Sequence, residues 1–396
     1  MTNKLLILIK QYNDYKPLNG ENIFLFKIGR ILNGFRRKIY KFFESRQPLY
    51  PIEESEISLE NQMNLTGGGV KLYITDREPN LKKTYFHIKT RSNNVFSHGM
   101  RVQKTYLLSL IHMYQLFSED YILTQAHGVA GYILSHKRKN GLFIDEAPMG
   151  LAQEEGPATA GVIQAFCEMY GLIKDKQYLN DAMEAAYSAK NYLKDPQYGY
   201  LHTLGYRENT TNVNASFAWA YTMLFSYTGE EAYKNEAENC LENVFAMQDS
   251  SGLFMYSTNN ETIYISLYHF LVIIALIKIN KVFQSDLIAK SICRALEFGE
   301  TLIRNDGTVI EPEAKGRYSV FQSASRAALA FYLSGNEQLG MKITKAMSNH
   351  FLNGKAYMVI TSDFKLTDEN FLFRKESALT DVMEDYVQMI IARKGN

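Results

Sequence analysis

Residues 156–193 read "GPATAGVIQAFCEMYGLIKDKQYLNDAMEAAYSAKNYL". The first half, "GVIQAFCEMYGLI", is apolar almost all round, whereas "LNDAMEAAYSAKNYL" carries a single apolar stripe. A helix apolar on every face must be buried and one with a single stripe lies at the surface. The pair is therefore a helical hairpin whose first helix is inner and whose second is outer. Pro157 suits a first helical position, where its missing N–H is not needed.

The same unit recurs on both sides of this stretch. Its marker is a glycine followed by a short apolar or aromatic pair, at Gly141, Gly199, Gly252, Gly307 and Gly354, roughly 50 residues apart, the spacing of a repeat architecture. Each marker leads into a polar connection, an apolar helix, a short turn and an amphipathic helix. Inner helices are expected to begin near Arg101, Pro157, Val213, Thr262, Phe321 and Ser377. This predicts an all-α fold, an (α/α) toroid of about five to six helical hairpins over residues 97–396, with an appendage ahead of it.

That appendage divides in two. Residues 1–60 hold a basic amphipathic helix at 23–43, "IFLFKIGRILNGFRRKIYKFF", which either contacts a membrane surface peripherally or supplies the sixth outer helix. Residues 61–96 read as a short β/linker segment, with "VKLYI" and "TYFHI" as a small hairpin. "MTNKLLILIK" is not a secretory signal, having too short an apolar core and no small-residue cleavage site. The expected location is cytoplasmic, peripheral to the inner face of the membrane if 23–43 binds it.

A formal net charge of +1 gives no global pull toward nucleic acid. Twenty-seven Tyr and 23 Phe stand beside a single Trp, and Tyr-rich concave surfaces suit sugars as well as core edges. Cys167, Cys240 and Cys293 lack metal-ligand spacing and are expected to be buried thiols. No metal and no cofactor is expected.

In such a toroid the long outer-to-inner connections gather at one mouth, where the inner helices also begin. That rim would carry Asp145, Glu146, Glu154 and Glu155, then Tyr200, His202, Tyr206, Arg207, Asn212 and Asn214, then Tyr264, then Glu311, Glu313, Arg317 and Tyr318. Acids here either complement the helix dipoles or perform acid–base chemistry.

"EEGPATAGVIQAFCEMYGLIKD" resembles the Glu-Glu-Tyr-Pro stretch and following helix of the C-terminal domain of glucuronyl C5-epimerases, within the broader six-hairpin glycosidase and polysaccharide lyase-like toroids. "NTTNVN" at 209–214 resembles a Thr-Thr-His-Ile-Asn segment of that family, and "GMRVQKTYLLSLIHMY" its first inner helix, with Gln103 matching a glutamine. Glu155 matches the family's active-site glutamate, while Gly156 stands where a catalytic tyrosine is expected. His202 and Glu208 fall near further tyrosine positions. "AHGVAGYI" resembles a lanthionine-cyclase motif, but the zinc-binding cysteines have no counterparts.

The resemblance implies an enzyme on an acidic, uronate-containing oligo- or polysaccharide, in polysaccharide biosynthesis. Abstraction of the C5 proton needs a base on one face of the sugar and cations for the enolate. Glu155, His202, Tyr200, Tyr206 and Arg207 are the catalytic candidates. Asp145, Glu154, Asn212, Asn214, Tyr264, Glu313, Arg317 and Tyr318 are the substrate-binding ones. Glycoside hydrolysis with Glu155 and Glu313, polysaccharide elimination, and non-catalytic glycan binding are the alternatives.

Overall fold

A computed structural model of the chain describes residues 74–75, 78–79, 100–146, 153–205, 207–258, 265–311, 318–352, 355–356, 359–361, 366–367 and 375–395. Among them the helices are α1 Met100–Phe117, α2 Asp120–Ser135, α3 Glu155–Ile173, α4 Lys176–Tyr192, α5 Thr211–Thr228 and α6 Glu231–Phe245. They continue as α7 Ile265–Phe283, α8 Asp286–Thr301, α9 Phe321–Leu333, α10 Glu337–Met347 and α11 Lys375–Gly395. The odd-numbered helices pack in order, α1 on α3, α3 on α5, and so on to α11, which returns to α1 and closes a ring. The even-numbered helices each pack outside the helix before them. The fold is an (α/α) toroid with six inner and, among the described residues, five outer helices. Inner helices start within about three residues of the positions expected from apolar patterning.

The division follows from the faces. The α7 sequence "ISLYHFLVIIALIKINKVF" is long and apolar enough to cross a membrane, yet Phe270, Ile273, Leu276 and Ile277 are buried in the ring. On α8 only the stripe of Ile288, Ser291, Ile292, Ala295 and Gly299 is buried. Every inner-to-outer turn ends in the same way. Ser118, Lys174, Gly229, Gln284 and Gly335 all adopt positive φ, the left-handed cap that stops a helix within one residue. Asp175 then starts α4, its side chain accepting from Gln177 N at 2.9 Å.

The outer-to-inner connections open with a tight hairpin, and the marker glycines turn it. Gly141, Gly199, Gly252 and Gly307 have φ between 72° and 97°, a region costly for residues with a Cβ. A Cβ on Gly252 would lie 2.2 Å from Arg294 O on α8, and one on Gly307 2.5 Å from Lys342 O on α10. The marker therefore sets each hairpin against the outer helix of the next unit. Gly307→Ala combines strain with a backbone clash and is expected to lower stability by about 1–3 kcal/mol, read as the denaturation midpoint.

β1 Tyr318–Val320, β2 Val359–Thr361 and β3 Leu366–Thr367 form an antiparallel sheet in the order β3-β2-β1, which the repeat pattern did not predict. Its last two strands lie in the connection between α10 and α11, and the first is the strand that enters α9. In the appendage Ile74–Thr75 pairs antiparallel with Glu78–Pro79, while "TYFHI", the expected second strand, lies outside the described residues. The segment 23–43 and the rest of 1–60 lie outside the described residues. Cys167 and Cys240 are buried as expected, but Cys293 is exposed on the outer helix α8.

Candidate active site

The rim acids act first as clasps between hairpins. Asp145 Oδ1 accepts from Arg101 N, the start of α1, at 3.2 Å. Glu155, buried at the start of α3, accepts from Leu204 N at 3.2 Å. Glu208 Oε2 accepts from Ser257 Oγ at 3.1 Å. Glu311 accepts from Ser266 N at 3.0 Å and from Ser323 Oγ at 2.5 Å, linking the starts of α7 and α9. Each of these carboxylates holds one connection to the next and meets backbone or hydroxyl donors near a helix N-terminus, where negative charge is stabilised.

Other rim candidates are also built into the scaffold. Tyr200 is 1% exposed, its phenol 2.6 Å from Tyr221 Oη and 3.2 Å from Glu236 Oε2, in the layer between inner and outer helices. Burial drives its pKa far up, which keeps it protonated. Asn214 Oδ1 accepts from Tyr200 N while its amide donates to Tyr198 O and Asn209 Oδ1. Arg207, with a side chain 73% exposed, pairs with Asp195 at 3.0 Å. His202 is half-buried beside Thr203, its carbonyl accepting from Gly156 N at 3.0 Å. Asn212 is half-buried at the start of α5. Tyr206, Tyr264, Glu313 and Arg317, and the side chains of Glu154 and Tyr318, lie outside the described residues. Tyr200→Phe is expected to cost about 1–2 kcal/mol of stability through the lost hydrogen bonds while leaving turnover unchanged, read from a melting curve beside an activity assay.

A second set of polar groups lies on the inner helices, on their central faces. Half-buried residues recur at intervals of three and four on otherwise buried helices: Arg101, Lys104 and Leu108 on α1, Gln164 and Glu168 on α3, Asn212, Ser216 and Trp219 on α5, Tyr268, Leu271 and Lys278 on α7. One stripe per helix at helical spacing is the mark of a lumen lined from all sides. The charges on these stripes meet across it. Lys278 of α7 is electrostatically coupled to Glu168 of α3, to Glu384 and Asp385 of α11 and to Arg326 of α9.

Nearest the mouth, Asp381 of α11 gathers donors from two other helices, α1 and α9. Thr105 Oγ1 donates to it at 3.1 Å, Gln322 Nε2 also donates to it, and Arg326 and Arg101 approach at 3.5 and 3.7 Å. Arg326 also pairs with Asp385, whose other oxygen accepts from Ser325 Oγ at 2.6 Å. Burial pushes the Asp385 carboxyl up to about 7 although Arg326 acts to lower it. Burial likewise lowers the Lys104 ammonium to about 8, with Asp381 opposing the shift. Its stem lies along α3 where Gly161 leaves room, since a Cβ there would come within 2.7 Å of Lys104 Cδ.

Deeper in the lumen, His112 Nδ1 lies 2.9 Å from Glu384 Oε1, which also accepts from Gln388 Nε2 at 2.6 Å. Burial disfavours the charged imidazole, but Glu384 outweighs it and raises the His112 pKa. Among the described residues no cluster of His, Cys, Asp and Glu has the makings of a metal site.

Glu311 resembles Asp385 in that burial raises it, here to about 7. Both folded-state values exceed the ordinary 4.5 and 3.8, so the fold favours the neutral acids. Their contribution is complete below those ordinary values and is lost as pH rises to about 7. Glu311→Gln is expected to flatten the fall in melting temperature between pH 4.5 and 7.

No family model and no curated protein matches the sequence. The fold is similar to that of a cellobiose 2-epimerase from Spirochaeta thermophila DSM 6192, with a TM-score of 0.61 at 12% identity over 85% of this chain and 92% of that one. A sugar epimerase from a ruminal bacterium gives 0.59 at 13% identity over 75% and 88%. A family 76 glycoside hydrolase from a bovine Bacteroides thetaiotaomicron strain gives 0.58 at 12% over 82% and 73%. At such identities the likeness is one of fold, that of the six-hairpin glycosidase-like (α/α) toroid enzymes.

Proposed function

We propose that this chain is a carbohydrate-active enzyme whose substrate is a carboxylate-bearing glycan, and that it works by proton transfer at C5 of a uronate within the lumen. One arrangement carries the reading. Arg101 and Lys104 are accessible near the mouth, while Asp381 and Asp385 lie buried behind them. The approaching ligand thus meets cations first. Toroids of this fold include proteins named as sugar epimerases and as a glycoside hydrolase, consistent with a saccharide in the lumen.

The chemistry follows from the groups at hand. Arg101 takes the sugar carboxylate, neutralising charge that grows as the enediolate forms. Lys104, neutral in part near its lowered pKa, receives the C5 proton on Nζ while the C–H electron pair moves into the carboxylate. Delivery of a proton from solvent to the opposite face of C5, with Lys104 later releasing its own proton to solvent, gives the epimer. Departure of the C4 substituent gives elimination instead. Glu155 keeps a supporting role, fixing the connection that closes the rim.

Hydrolysis is the second reading, favoured by one observation: Asp385, whose carboxyl burial pushes up to about 7, stands one helical turn from Asp381 with Arg326 bridging both, and neighbouring carboxyls can divide acid and base roles. Both, however, lie behind Arg326. Incubation with uronate polymers in deuterated water separates the readings. Deuterium at C5 is the expected result. An unsaturated, ultraviolet-absorbing end would mean elimination, new saturated reducing ends hydrolysis, and unaltered polymer would overturn the enzymatic reading.

A further inference from the structure

Below the mouth the lumen changes character. Trp219, the chain's single tryptophan, is half-buried on the central stripe of α5. Lys278 reaches back from α7 toward the mouth, as helical side chains do, and places Nζ 5.9 Å from the indole centroid. Glu168 on α3 is the leading opposite charge that Lys278 feels. Among the described residues these two form no ion pair with each other, although both are half-buried in the same lumen. An ammonium donor and a carboxylate acceptor therefore stand on α7 and α3, the two inner helices that flank α5 and its Trp219.

The charge balance also differs from that at the mouth. Around Asp381, three cations, Arg101, Lys104 and Arg326, face two carboxyls. Lys278, by contrast, shares its surroundings with Glu168, Glu384 and Asp385 on one side of the balance and with Arg326 and His112 on the other, which is near neutrality. A carboxylate brought here would meet anions as well as cations. A ring bearing only hydroxyls would instead lie on the indole face, receive a hydrogen bond from Lys278 and donate one to Glu168, with both partners charged and the bonds correspondingly strong.

We propose that Trp219, Lys278 and Glu168 form a subsite for an uncharged hexose ring, one position deeper than the acidic unit, so that the substrate is an oligosaccharide alternating or ending in a neutral sugar. The subsite rests on the lumen reading given above but not on the reaction assigned to Lys104. Being the only tryptophan, Trp219 reports its own occupancy. Titration of the full chain with glucose, galactose, mannose and N-acetylglucosamine, beside glucuronic acid, should give a saturable change in indole emission for at least one neutral sugar. Glucuronic acid should need about tenfold higher concentration. Glu168→Gln and Lys278→Met should each weaken the neutral sugar by about tenfold, with melting curves confirming the fold and Lys278→Arg restoring part of the response. Tighter binding of glucuronic acid would overturn the proposal, as would emission unmoved by every neutral sugar. Either failure accompanied by Lys104-dependent deuterium exchange at C5 would sink the subsite alone. Binding of neutral sugar without exchange would sink the assigned reaction alone.

Discussion

Lys104→Met is expected to lower turnover by about 10²–10⁴-fold, the range spanned by a positioned general base, with little change in melting temperature. Methionine keeps an unbranched stem to lie along Gly161, so the packing against α3 survives while the titratable nitrogen is lost. Lys104→Arg should be as inactive as the methionine variant, because a guanidinium stays charged at any working pH. The wild-type rate should also rise with pH through about 8, where burial has placed the ammonium, as its neutral fraction grows. A rate flat across pH 6–9, or an active arginine variant, would exclude Lys104 as the base.

Arg326→Met should be the most destabilising single change in the lumen, by roughly 3–5 kcal/mol, the usual cost of leaving a buried charge without its partner. Arg326 touches both Asp381 and Asp385, and both carboxyls are buried. Removing it strands two acids, so the loss should lessen at low pH, where they are protonated. Adding Asp385→Asn should recover part of the stability, since an amide in that position needs no counter-ion. Chemical denaturation of the single and double variants at pH 5 and pH 8 gives the comparison. Equal losses at both pH values would mean that packing of the Arg326 stem, not its charge, holds the site.

The toroid was legible because its cause is local. Whether "GVIQAFCEMYGLI" or "LNDAMEAAYSAKNYL" lies inside is written in each helix's own faces, and the marker glycines recur at a period that the residue order alone displays. Ring order followed from alternation alone. The site was only partly legible. Asp145 lies against the start of α1 and Glu155 at the start of α3, but a position along the chain does not say which way a side chain turns. Tyr200 turned into the layer between helices and Arg207 outward to Asp195. The lumen charges went unread for the opposite reason: Lys278, Glu168 and Arg326 each stand nearly alone in an apolar helix, and their partners lie far away along the chain. A single charge amid an otherwise fully apolar inner helix was the available signal, because such a group must either meet a partner or face a water-filled space.

Closure of the ring through α11 has a temporal consequence. The bond from Thr105 to Asp381 joins residues 276 positions apart, so Asp381 meets its partners on α1 and α9 only when the most distant of these segments arrives. Contacts of that range form late, after the loop between them has been paid for in entropy. During synthesis the earlier hairpins can stack as a curved, open array, and only the arrival of α11 turns that array into a vessel.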